Sequence, residues 1–298
     1  MFNCFKSTKK RISLNISTAN SFFLTSVILT TFVSSFNLKP AFAHTDSTSC
    51  LPVNLGLLGD YAMFATTSKM SISNSDTSIG SNGTIGNVGL GPGASQNFSD
   101  GQIHGTFFVD PSADNSKSNN VDFKGGIVEQ DLSSVLTDLQ AAVAEALSLS
   151  PTQVFDTIDD YTTITATERV NVIEVTNKIQ LSGQTLTFEG AADDLFVVNI
   201  AGNLALSGDS KILLSSDLTP ANILFNVGGT ASQSGNSIVN GTLLIPNGKV
   251  DNASANFYGA IYAPEIALSG GAGVDGYQGI SFGTGLKNSC NNYLIFAD

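Results

Sequence analysis

Four stretches in the second half of the chain align on small residues and glycine, and this repeat narrows the possible folds more than any other feature. NIAGNLALSGDSKI begins at Asn199, NVGGTASQSGNSIV at Asn226, IPNGKVDNASANFY at Ile245 and IYAPEIALSGGAGV at Ile261. Gly202, Gly229 and Gly248 share one column, with Pro264 in the fourth copy; Ser207, Ser234, Ala253 and Ser269 share another. Units of this size cannot bury an apolar side alone, so successive units stack and cover one another. In this register Leu204, Ala231, Val250 and Ile266 face inward. Two-residue alternation then places Asn203, Thr230, Lys249 and Glu265, with Ala205, Ser232, Asp251 and Ala267, in outward or corner rows. The offsets of 27, 19 and 16 residues imply coils of irregular length.

The remaining texture is also that of short strands. VNVIEV (170–175), LTF (186–188), LFVVNI (195–200), NILFNV (222–227), GTLLI (241–245) and YGAIYA (258–263) are β-branched or aromatic and end at Gly, Asn or Pro. In ISNSDTSIGSNGTIGNV, glycines 80, 83, 86 and 89 separate single inward anchors at 72, 79, 85 and 88. Residues 110–126 read as loop, a cluster of turn formers without periodicity. One helix is predicted over 130–148. Leu132, Val135, Leu136, Leu139, Val143, Ala146 and Leu147 follow helical spacing, Asp131 stands at the start and Ser150-Pro151 ends it. Its ~27 Å matches about six strands stacked at ~4.7 Å, so it can lie along a stack of coils.

Charge and the N-terminus limit the partners. Residues 1–43 read as a signal peptide: Lys6, Lys9, Lys10 and Arg11, then the apolar run 22–33, then Ala41-Phe42-Ala43 before His44. The alternative is an uncleaved anchor, but Ser and Thr interrupt the run, and Lys39 and Pro40 end it. The segment holds five of the 13 basic residues and none of the 25 acidic ones, so 44–298, read as a single exported domain, carries −17. That disfavours nucleic acid and anionic membrane surfaces, and no further stretch is long enough to insert in a membrane. Cys50 and Cys290 bracket the domain; export favours a disulfide between them over two independent thiols.

Catalytic chemistry is not legible. The acidic doublets Asp159-Asp160 and Asp193-Asp194 would point to opposite faces of a strand. His44 and His104 are the only histidines, and no nucleophile elbow, zinc-binding helix or calcium loop is present. A catalytic role, a metal and a cofactor are therefore not expected.

The opening LGDYAMFATTSKMSISNSDTSIGSNGTIGNVGLGPG (58–93), followed by a long helix and then ANILFNVGGTA and GTLLIPNGKV, resembles the β-solenoid ice-binding proteins of bacteria and fungi. ILFNV, GTLLIPNGKV and GAIYAPEIAL are also similar to related bacterial putative adhesive domains. The resemblance implies a right-handed parallel β-solenoid of irregular coils, triangular in section, with one long α-helix packed alongside and no enzymatic activity. Members of that family often carry Thr-(Ala/Gly)-x-(Thr/Asn) on the ice face. The nearest passages here are Thr165-Ala166-Thr167-Glu168 and Thr230-Ala231-Ser232-Gln233. The expected target is an extended, repeating, uncharged surface, with ice first and extracellular polysaccharide or a cell surface as the alternative. A rigid ladder of side chains loses little entropy on meeting such a target. The candidate face is Thr230, Ser232 and Ser234 with Asn203 and Ser207; the adhesive alternative needs Tyr258 and Tyr262 exposed, whereas their ordinary reading is core or corner packing. Oligomeric state is not legible.

Overall fold

Apolar residues at alternate positions form strands here because each strand has one interior to fill. The computed structural model describes residues 51–73, 78–80, 86–116, 121–215, 217–274 and 282, all within one compact unit, Asp46–Asp298. The signal segment and both candidate disulfide cysteines lie outside the described residues.

Every strand pairing among the described residues is parallel, and each coil crosses three faces. Face A stacks, from one end to the other, Gln153–Ile158, Val170–Ser182, Leu195–Ile200, Ile223–Val227, Thr242–Leu244, Ile261–Ser269, Met63–Ile72, Val88–Leu90, Phe107–Val109 and Ile127–Glu129. Four of these strands, Gln153–Ile158, Val170–Ser182, Ile261–Ser269 and Met63–Ile72, continue round a corner onto face B. There the last three pair with Leu204–Ser207, Ala231–Ser234, Lys249–Ala253 and Ser95–Phe98. Face C is a nine-stranded sheet running from Thr162–Thr165 to Val121–Phe123. The stack is therefore a β-solenoid whose levels do not follow chain order. Coils built from residues 63–129 sit beyond the C-terminal coil, and Met63↔Ile261 is a register pair.

The helix makes this order possible. It runs Ser133–Ser148 and carries the chain back from the Ile127–Glu129 end to the Gln153 end. Sixteen residues span ~24 Å, about five strand spacings. Its underside packs with Phe64, Leu195, Val197, Leu224, Leu244 and Tyr262, outward residues of five successive face A strands. The buried line is Leu132, Val135, Leu139, Ala142 and Ala146. Leu147, expected on that stripe, is 64% exposed, and Ala142 takes a place in the contact. The two alanines let the helix approach closely, and Asn199 Nδ2 donates to the Ala146 carbonyl at 2.8 Å. At the start, Asp131 Oδ1 accepts from the Ser133 amide and Asp110 Oδ2 from the Leu132 amide, each at 2.9 Å.

A separate apolar core fills the coil interior. Phe188 meets Phe196 edge-on at 5.1 Å near one end, and Phe107 stacks on Phe123 at 5.2 Å near the other. The second pair corrects the expectation of loop over 110–126, because Val121–Phe123 is a strand of face C. Its three residues are too short for periodicity to show, and pairing with Gly101–Ile103 holds it. YGAIYA divides as well: one strand ends at Tyr258, Gly259 turns at φ 139°, and the next begins at Ile261.

The corner from B to C uses left-handed backbone at the same position in five coils. Gly183, Gly208, Gly235 and Gly270 occupy it with φ of 85°, 65°, 68° and 64°. Ser254 fills the same position at φ 56° and is the one non-glycine with positive φ among the described residues. Its hydroxyl donates to the Gly270 carbonyl at 2.7 Å.

Candidate functional site

The helix covers five strands in the middle of face A, whereas it leaves faces B and C uncovered. On face B the register pairs Leu204 with Ala231, Ala231 with Val250 and Val250 with Ile266, the alignment read from the repeats. All four side chains are buried. The outward columns follow. In the middle column, Gln180, Ala205, Ser232, Asp251, Ala267, Ser71 and Asn97 are successive partners. In the corner column, Ser182, Ser207, Ser234, Ala253 and Ser269 continue into Ser73 and Ser99. The column on the A side holds Asn203, Thr230, Lys249, Glu265, Lys69 and Ser95.

All five predicted face residues therefore lie on face B, on two adjacent coils, but their hydrogen-bonding states differ. Asn203 Oδ1 accepts from the Thr230 amide at 2.9 Å and so also staples the A-to-B corner. Ser207 Oγ donates to the Leu181 carbonyl at 3.4 Å. Within the described residues, the hydroxyls of Thr230 and Ser232 make no hydrogen bond to protein. Neighbouring levels lie ~4.7 Å apart and alternate residues along a strand ~6.7 Å apart, so the face is a two-dimensional lattice of small side chains.

Part of this lattice escaped the sequence reading. Ser71, Ser73, Asn97 and Ser99 come from coils that precede the aligned repeats in the chain. Their signal is present: MSIS (70–73) and QNFS (96–99) share the inward-small-inward-Ser pattern of IQLS (179–182), LALS (204–207), ASQS (231–234) and IALS (266–269). Glycine follows serine in the last four, whereas Asn74 and Asp100 follow it in the first two, and that hides the match.

Face C is rougher. Its outward residues include Leu213, 38% exposed, with Thr163 and Thr187 on one side of it and the half-buried Asn240 and Tyr258 on the other. Thr165, from the other candidate motif, stands on this face beside Glu189. Tyr262, which the adhesive alternative requires to be exposed, is packed instead: it is fully buried under the helix, its hydroxyl bonded to the Tyr61 carbonyl at 3.0 Å. Outward from its strand here means toward the helix, which covers it.

Charge clusters in the middle of face B. Lys249 Nζ lies 2.6 Å from Asp251 Oδ2, and the hydrogen bond and charge of Asp251 hold the Lys249 ammonium above its ordinary range. Of the acidic doublets, Asp159, Asp160 and Asp193 are exposed, and the half-buried Asp194 accepts from the Ala191 amide at 2.8 Å. Among the described residues no cluster of His, Cys, Asp and Glu could hold a metal ion, and no helix is long and apolar enough to cross a membrane.

Solved structures share this architecture. An ice-binding protein from an Antarctic bacterium of the Flavobacteriaceae aligns with a TM-score of 0.56 and 19% identity over 75% of this chain, which spans only 47% of that protein. The Shewanella frigidimarina ice-binding protein domain aligns at 0.55 and 17% identity, over 77% of this chain and 99% of that one. A glycosylated ice-binding protein from an Arctic yeast aligns at 0.54 and 20%, over 76% and 94%. At these identities the likeness establishes the fold. No curated protein matches the chain in sequence. The sequence profile of the ice-binding-like family matches residues 66–272, from the first coil through the last repeat, and the chain belongs to that family.

Proposed function

We propose that this protein is an exported, non-catalytic ice binder that docks through face B. The observation that carries the reading is the lattice of small, mostly uncharged side chains that continues across the junction between the N- and C-terminal coils through Ala267, Ser71 and Asn97, beside the charged residues Lys249, Asp251, Glu265 and Lys69. Family membership supports it, and so does the smoothness of face B beside face C. A rigid lattice meets a crystalline surface without ordering its own side chains, which keeps the entropic penalty low. Thermal hysteresis and ice-crystal shape with purified 44–298 test it. The T230Y/S232Y variant should lose ice shaping while keeping its circular dichroism spectrum.

Export rests on the N-terminal segment: secreted protein should begin at His44, and N-terminal sequencing that finds Met1 refutes cleavage. A Cys50–Cys290 disulfide accompanies export in this reading, with a chain-entropy stabilisation of up to ~5 kcal/mol; two free thiols by mass spectrometry would end it. The coil is taken to be right-handed, as ~98% of crossovers between parallel strands are. The competing target, an extracellular polysaccharide, gains from Tyr161, 72% exposed at one end of face C. Round ice crystals with retention on a polysaccharide column would favour it.

A further inference from the structure

Four charged side chains stand together in the middle of face B. Lys249 is the register partner of Glu265, and Glu265 of Lys69, on three neighbouring strands. Asp251, two residues from Lys249, pairs with it. Two positive and two negative groups thus cancel locally, in a chain whose formal charge is −12. Every other outward neighbour is neutral: Thr230 and Ser232 on the strand to one side, Ser95 and Asn97 on the other, with Ala267 and Ser71 between. The next charges in the column are Lys178, beyond Asn203, and Asp114, beyond Ser95.

Stability does not account for this block. Lys249 and Asp251 remain 47% and 43% exposed, and exposed ion pairs contribute little to folding. Their effect on the surface is larger. A lone charge acts over about 8–10 Å at ordinary ionic strength, roughly two strand spacings, far enough to disturb water over Ser232, Ala267 and Ser71. A balanced set confines its field to its own footprint.

Building on the ice-docking reading of face B, we propose that Lys69, Lys249, Asp251 and Glu265 form a charge-balanced block within the docking face, and that docking strength depends on the two carboxylates offsetting the two ammonium groups. Removing the negative pair alone would leave two uncompensated ammonium groups on the lattice.

Thermal hysteresis at pH 7 tests this, with circular dichroism to follow the fold. Three proteins are compared: wild type, the near-isosteric D251N/E265Q, and the neutral K69S/K249S/D251S/E265S. D251N/E265Q should be at least about twofold weaker than wild type, as expected if an unbalanced charge reaches past one strand spacing, and the neutral variant should match wild type. D251N/E265Q matching wild type, or the neutral variant falling as far as D251N/E265Q, overturns the proposal. A wild type without hysteresis overturns the ice reading itself, and this inference with it.

Discussion

Tyr262 donates its buried hydroxyl to the carbonyl of Tyr61, 201 positions earlier in the chain, at 3.0 Å. The bond lies at the seam where the last C-terminal coil meets the first N-terminal one, beside the Ile261 amide, which donates to the Ala62 carbonyl at 2.9 Å. Two runs of sequence that never adjoin in the chain form one continuous stack at this point. Tyr262→Phe keeps the ring under the helix and removes the bond. It should lower stability by about 1–2 kcal/mol, read as a shift in denaturant midpoint with unchanged slope. No shift would mean that the hydroxyl does not hold the seam.

Asp110 ties the helix start to the solenoid and makes that junction acid-sensitive. Burial alone would push its carboxyl up, but hydrogen bonds from the Leu132 amide and from the Ser112 amide and hydroxyl outweigh this and hold it below the ordinary range. A carboxyl depressed by folding stabilises fully above its unfolded value and loses that contribution as pH falls through the folded value. D110A should therefore destabilise the protein at pH 7 by about 2 kcal/mol, leaving buried donors unpaired. The gap to wild type should shrink below about pH 4. Denaturation at pH 7 and pH 3 reads both.

The left-handed corner discriminates between two substitutions. A Cβ added at Gly235 would lie 2.9 Å from the Gly208 carbonyl oxygen, at φ 68°. Gly235→Ala should thus cost about 1–2 kcal/mol. Ser254→Gly relieves the same strain but gives up the bond to Gly270. Its net effect should stay within about 0.5 kcal/mol, since a hydrogen bond and the strain are of similar size. Thermal unfolding of both variants decides; a G235A protein as stable as wild type would refute the account.

Docking on face B can be mapped without touching the repeats. S71Y/N97Y places bulk on the N-terminal coils and should weaken ice adsorption about tenfold or more, the equivalent of ~1.4 kcal/mol. T163Y/T187Y adds the same bulk to face C and should leave adsorption at wild-type strength. The reverse pattern would move the docking face from B to C.

The amino-acid sequence by itself determined the repeat register, the inward row Leu204, Ala231, Val250 and Ile266, and the outward placement of Thr230 and Ser232. It determined the helix to within a few residues. These follow from two-residue alternation and helical periodicity, both written in neighbouring side chains. Tertiary structure alone decided which face the helix covers, and hence that Tyr262 is buried although it points outward from its strand. It also decided that Ser71, Ser73, Asn97 and Ser99 extend the ladders of Ala267 and Ser269. That second outcome depends on Met63–Ile72 pairing with Ile261–Ser269 across most of the chain, after the helix has returned it to the far end. A contact between strands so far apart leaves no local period in either. Its driving force, burial of a shared core, exists only once both coils are formed.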